Sequence, residues 1–223
     1  MTAAAWIVFW ALAFAATHMG LSSLRVRPRL VATIGQGPYL AIYSLVAFAT
    51  FVPLVRVWLR DLHGGGFLWN LRAYAVVHVV AMMVSWVFFT MAIAALVQPS
   101  PASVGPRATT RARGLTRITR HPLFMSIGIW ALAHTVLNGF ANDVLFFGGI
   151  FVVGLAGCMH QDARKRATEP ELAEFYDETS LLPFVAIATG RNHLVLSEMP
   201  WMGLAAGAVV ASMIYHYHAA MFG

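Results

Sequence analysis

Nine histidines lie in a chain of 223 residues that is 59% hydrophobic and only 11% charged. Imidazole is neutral near pH 7 and is a common metal ligand. Ionisable groups inside a bilayer are costly and tend to mark function. His18, His78, His134, His216 and His218 fall within long apolar runs, and His121 and His160 lie at the ends of such runs. His63 and His193 are in connections and need no special role. A single buried histidine is commonly a hydrogen-bonded packing residue, but several on one bundle suggest a shared ligand. Carboxylates are nearly absent from the runs, Asp162 at the end of one being the exception, and Cys158 is the single cysteine. That donor set argues against magnesium, calcium and structural zinc, and it allows no intramolecular disulfide. Imidazole suits heme iron, copper or zinc. With 15 Phe, 7 Trp and 11 Met around the histidines, heme b fits best: its ring needs an apolar slot and its iron needs imidazole. Arginines at the edge of the runs, among them Arg117 and Arg120, are candidate partners for the propionates.

The elements that must carry these side chains are membrane spans. Soluble domains are about 25% charged, so this chain cannot cover a surface facing water. Apolar runs long enough to span occur at about 3–22, 37–58, 69–97, 121–139, 143–161 and 201–221. We therefore expect an all-α bundle of six transmembrane helices forming a single domain over residues 1–223. The first run has no basic stretch before it, so it reads as a retained span rather than a signal peptide. Of the fifteen basic residues, Arg25, Arg27, Arg29, Arg107, Arg111, Arg113, Arg117, Arg120, Arg164, Lys165, Arg166 and Arg191 fall on one side of the bundle. Arg56, Arg60 and Arg72 fall on the other. Positive charge marks the cytoplasmic side, so both termini should face outward from an inner (plasma) membrane. The net charge of +6 then belongs to loops near lipid headgroups, and nucleic acid is not an expected partner. Residues 168–183 read as a short amphipathic cytoplasmic helix. Thr168 and Glu171 would form its capping box, and its acidic face would pair with the basic loop 107–120.

The run from Gly114 through Arg117, Arg120, His121 and Pro122, followed by Ile129, Trp130, His134 and Thr135, resembles the NnrU family. That family includes the 15-cis-zeta-carotene isomerases. The likeness extends to His18 through Arg25, Leu68 through Leu71 with His78, Gln161 through Lys165, and Leu182 through Arg191. It implies an integral membrane protein, and in the isomerase branch heme b and cis–trans isomerisation of a central carotenoid double bond. The histidines matching the family's proposed iron ligands, and so its catalytic pair, are His18 and His134; His78 and His121 match other family histidines. Two positions depart from the pattern. Ala131 stands where the isomerases carry a cysteine, and Thr109 where they carry a histidine. The implied partners are membrane lipids and a lipid-soluble substrate, in that branch a carotenoid.

Depth along the spans divides the histidines. At about 1.5 Å per residue, His18, His121 and His160 lie near the inner face, and His78, His134, His216 and His218 in the outer half. The pair implied by the resemblance is thus drawn from both sets, whereas depth alone would pair His18 with His121, or His78 with His134. Two other readings compete. One is a non-catalytic heme protein linked to nitric oxide or nitrite metabolism. The other is an S-adenosylmethionine-dependent membrane methyltransferase, since Arg120-His121-Pro122 and the later glutamates resemble the isoprenylcysteine carboxyl methyltransferase type, with Phe124 and Ser126 departing from its motif.

Overall fold

The computed structural model describes residues 1–98, 100–101 and 110–222. Arg107 and Thr109, used above, lie outside these. Among the described residues the structure is all helical, with one isolated bridge between Phe67 and Phe140 and no strand. The helices are α1 (Ala3–Leu21), α2 (Val26–Ile34), α3 (Gln36–Arg60), α4 (Ala75–Val97) and α5 (Leu115–Ile118). They continue as α6 (Pro122–Leu137), α7 (Ala141–Thr168), α8 (Ala173–Glu178), α9 (Val185–Ala188) and α10 (Trp201–Phe222).

Four helices, α1, α3, α4 and α7, are long and apolar enough to cross a membrane. Helix α6 has 16 residues and is shorter than a usual span. Helix α10 has 22 residues, but His216 and His218 interrupt its apolar run. Their outward faces are greasy: Leu45, Phe48, Val76, Met83 and Val209 are all at least half exposed. Such faces are compatible with a membrane protein, because lipid rather than water can cover them.

Packing fixes the helix directions. Helix α1 runs parallel to α7: Ile7 packs with Phe146 and Phe147, and His18 faces His160. Helix α3 runs back along α1, with Phe51 against Phe14 and Tyr43 against His18. Helix α6 runs antiparallel to α7, Gly128 facing Phe151 and His134 facing Phe147. Helix α4 lies between α6 and α10 and runs antiparallel to both, with Phe89 against Trp130 and Trp86 Nε1 donating to Ser212. Both termini consequently lie at one end, where the Phe222 carbonyl accepts from His63 and the Phe222 ring lies 6.4 Å from that of Trp58.

Helices α4 and α10 approach closely because α10 presents small residues. A Cβ placed on Gly207 would lie 2.5 Å from the Thr90 carbonyl oxygen and 3.1 Å from Thr90 Cα. Neither backbone atom can step aside, and close approach of small residues is how helices associate in lipid. Gly207→Leu should therefore push the two helices apart and cost about 1–3 kcal/mol or more. A fall in the thermal midpoint of the detergent-solubilised protein checks this; an unchanged midpoint would refute the contact.

Three local expectations need correction. Residues 69–74 are not the start of a span: α4 begins at Ala75, preceded by a single 3-10 turn at Leu71–Ala73. This segment is tied to the α6–α7 turn, with Leu68 N donating to the Gly139 carbonyl and Trp69 Nε1 to that of Val136. Thr168 is not an N-cap. It is the last residue of α7, and its hydroxyl donates to the Arg164 carbonyl. Pro170 then opens a 3-10 turn, and only Ala173–Glu178 is α-helical. Finally, α2 occupies a stretch read as loop.

Candidate functional site

Helix α7 touches histidines from other helices near both of its ends. The pair near its C-terminal end is His18 and His160, close enough to act on each other electrostatically. The His18 ring is stacked on Phe14 at 5.0 Å and packs against Tyr43 at 4.5 Å. His18 Nδ1 and His160 Nε2 are buried and have no hydrogen-bond partner.

The group near the other end is built on α6. Within one helical turn, His134 Nδ1 donates to the Trp130 carbonyl at 2.9 Å. That bond fixes the tautomer and leaves Nε2 bare, as the outer partner of a metal-ligating histidine does. The ring is walled by Trp130 at 4.4 Å and Phe147 at 4.9 Å, and it faces His218 of α10 at 6.3 Å between centroids. Two imidazoles each bonded to one metal at about 2 Å would have centroids roughly 6 Å apart. The centroid spacing of this pair is that of two imidazoles sharing one metal ion. Ala131, fully buried one turn earlier, offers no thiol.

The two family-matched histidines are not brought together. His18 lies beside residue 160 of α7 and His134 beside residue 147. Thirteen residues of helix separate these levels by about 20 Å, so one iron cannot hold both in this arrangement. His78 Nδ1 is also buried without a partner, and its ring makes no contact with that of His134. His121 is buried and its Nε2 donates to Asp162 at 2.7 Å. Its side chain is spent on a carboxylate rather than paired with His18.

The arginines read as propionate partners are likewise committed. Arg120 Nη1 donates to Asp162 at 2.5 Å, Nε to the Thr179 hydroxyl, and Nη2 to the carbonyls of Thr179 and Tyr176. Its guanidinium also lies 4.5 Å from the centre of the Tyr176 ring, with Arg166 at 4.0 Å from the same ring. Burial pushes the Tyr176 phenol up, which keeps the ring neutral between its two cations. Asp162, His121 and Arg120 together form a buried knot that ties α7 to the start of α6 and to residues 176–180.

Arg117 grips Glu198 with both arms of its fork, at 2.7 and 3.0 Å, and donates to Asn192 Oδ1 at 2.7 Å. These bonds, with the Gly114 amide, hold the Glu198 carboxyl down at about 2, against the opposing effect of burial. A depressed carboxyl adds stability that is present above its ordinary value of 4.5 and lost as pH falls toward about 2. The thermal midpoint should therefore drop across that window, and Glu198→Gln should flatten the drop; an equal drop in the variant would exclude Glu198 as its source. Arg111 pairs with Glu174 and, at 3.2 Å, with Glu178, so the acidic face of 171–178 does meet the basic segment before α5.

One charged site escaped the sequence reading. Asp143 is completely buried, accepting from Trp58 Nε1 at 2.8 Å and from His63 Nδ1 at 2.7 Å. The turn between α6 and α7 signals only a hairpin in sequence, and nothing local marks its aspartate as the anchor of α3.

A family model described as NnrU protein matches residues 6–223. The 15-cis-zeta-carotene isomerase, chloroplastic, of Zea mays is 28% identical over 184 residues, 81% of this chain and 50% of that protein. The protein of the same name from Arabidopsis thaliana is 29% identical over 189 residues, 82% of this chain and 50% of that protein. The chain spans about half the length of these relatives. No solved structure matches it.

Proposed function

The chain belongs to the NnrU family, and from that premise we propose that it is a heme b-binding membrane protein that isomerises a cis double bond of a carotenoid-like polyene. The observation that carries this reading is His134: a bare Nε2, oriented through Trp130, walled by aromatic rings and facing a second imidazole. His134 and His218 would hold the iron. Heme b, if held there, would supply a redox-active iron able to lend electron density to a polyene so that a double bond could weaken and rotate. The protein's own part is to bind, orient and exclude water. Between α4 and α6, on the face of α6 away from His134, an apolar groove of about 380 Å³ is lined by Val76, Val80, Val84, Ile129, Leu132 and Val136. It opens toward the lipid-facing surface, where a hydrocarbon can enter without crossing water. No acid or base is needed, because isomerisation moves no proton.

In this reading α1, α3, α4, the shorter α6, α7 and α10 all cross the inner membrane as one domain. Support comes from their strict alternation of direction and from both termini lying at the end away from Arg117, Arg120, Arg164 and Lys165. The basic end and the short helix α8 then face the cytoplasm. The methyltransferase alternative draws less support, since Arg120 and His121 of its motif are consumed by Asp162.

The visible spectrum of the purified protein tests the cofactor. We expect a Soret band with α and β bands that sharpen on reduction. A protein that stays colourless after heme is added would contradict the proposal.

A further inference from the structure

Arg164 is 8% exposed, and its Nε and Nη1 are buried with no hydrogen-bond partner. A buried guanidinium without an acceptor is costly, and here its surroundings make matters worse. Arg27 lies within electrostatic range, a second positive charge facing the first. Glu169 also lies within range and offsets this repulsion in part, and it is shared with Lys165 at 3.6 Å. Tyr39 donates its hydroxyl to the Leu21 carbonyl, and its oxygen and ring are taken by Arg27, whose guanidinium lies 5.8 Å from the ring centre. One turn before Arg164 on the same face of α7 is His160, whose Nε2 lacks a partner, and across from it His18 Nδ1 lacks one too. Two unpartnered nitrogens of Arg164, facing Arg27, and one each of His160 and His18, one turn away along α7, thus lie at the same end of the bundle. The complement to that set is an anion with several oxygen acceptors.

We propose that Arg164, Arg27, His18 and His160 form a binding site for a phosphate group, supplied by the headgroup of an anionic phospholipid. Guanidinium forks and imidazole N–H groups match phosphate oxygens in number and direction. Basic pockets between helices at the cytoplasmic face take lipid headgroups in this way. Helix α2 and the residues leading into it support a lipid over a soluble ion. Leu24, Val26 and Ile34 are exposed at 49%, 37% and 37%, interleaved with Arg25, Arg27 and Arg29. An apolar and basic surface of this kind suits a headgroup interface. The inference rests on the membrane reading but not on heme.

Thermal midpoints of the full chain in detergent provide the test, with dioctanoyl phosphatidylglycerol, dioctanoyl phosphatidylcholine or inorganic phosphate added at equal concentration. Phosphatidylglycerol should raise the midpoint and phosphatidylcholine should not. Arg164→Gln should weaken the phosphatidylglycerol response about tenfold in apparent affinity. Arg27→Gln, at a half-buried position that leaves the fold intact, should weaken it as well. An equal, Arg164-dependent response to inorganic phosphate alone would keep the phosphate site and assign it to the soluble ion. No response to either phosphate source, or the same response in both variants, would overturn the proposal. Loss of bound heme in Arg164→Gln without a lipid response in the wild type would give the guanidinium to a propionate and overturn it also.

Discussion

Asp162→Ala is expected to be among the most damaging single substitutions in this chain, costing about 3–5 kcal/mol. The carboxylate is the common acceptor for Arg120 and His121, and both of those side chains are buried. Removing it strands the Arg120 charge, since the remaining partners of that guanidinium, the Thr179 hydroxyl and the carbonyls of Thr179 and Tyr176, are neutral. The link between α7, the start of α6 and residues 176–180 should then fail. The measurement is the yield and thermal midpoint of the membrane-extracted variant. The double variant Asp162→Ala with Arg120→Met should recover part of the loss, because it removes the stranded charge together with its partner. A wild-type midpoint in Asp162→Ala would show that the knot is not what joins these segments.

His134→Ala should lower heme affinity at least about 100-fold and leave the protein folded, since the side chain's hydrogen bond is within its own helix. His218→Ala should also weaken binding and shift the spectrum toward a five-coordinate iron, while His193→Ala, exposed in a connection, should change neither. Added imidazole should restore part of the Soret band in His134→Ala. Retention of the wild-type spectrum in His134→Ala would move the iron to other ligands, and the His18–His160 pair would be the next to examine.

Helix positions were largely legible in the sequence because long apolar runs mark them. The expected spans at 3–22 and 37–58 agree with α1 and α3, both apolar and long enough to cross a membrane, and 201–221 agrees in position with the helix α10, each to within two residues at each end. The errors have physical causes. Trp69, Leu71 and Tyr74 are apolar enough to extend a span, yet they belong to an interfacial turn, and aromatic residues enrich both settings. Helix α2 was missed because Arg25, Arg27, Pro28 and Arg29 read as a charged loop, although proline is tolerated in a first turn. Helix α7 runs on to Thr168, past the end expected from hydropathy, because Asp162 and Lys165 find buried partners.

The site was legible in kind but not in pairing. Depth counting separated His18 from His134 correctly in level, whereas the partners His160 and His218 emerge only when α1 meets α7 and α6 meets α10. A ring's neighbours on another helix depend on rotation about the helix axis, which hydropathy does not encode when all faces are apolar. For the same reason His63, read as an ordinary loop residue, proves to be bonded to the fully buried Asp143. Arg164 was counted only as one of the charges that set orientation.

The most direct test of the account is to incubate the purified, heme-loaded protein in detergent with a 15-cis carotenoid, under reducing and oxidising conditions, and to separate the isomers. The account predicts conversion to the 15-trans form by the reduced protein, little by the oxidised protein, and none by His134→Ala. No conversion by the reduced wild type at full heme loading would contradict it.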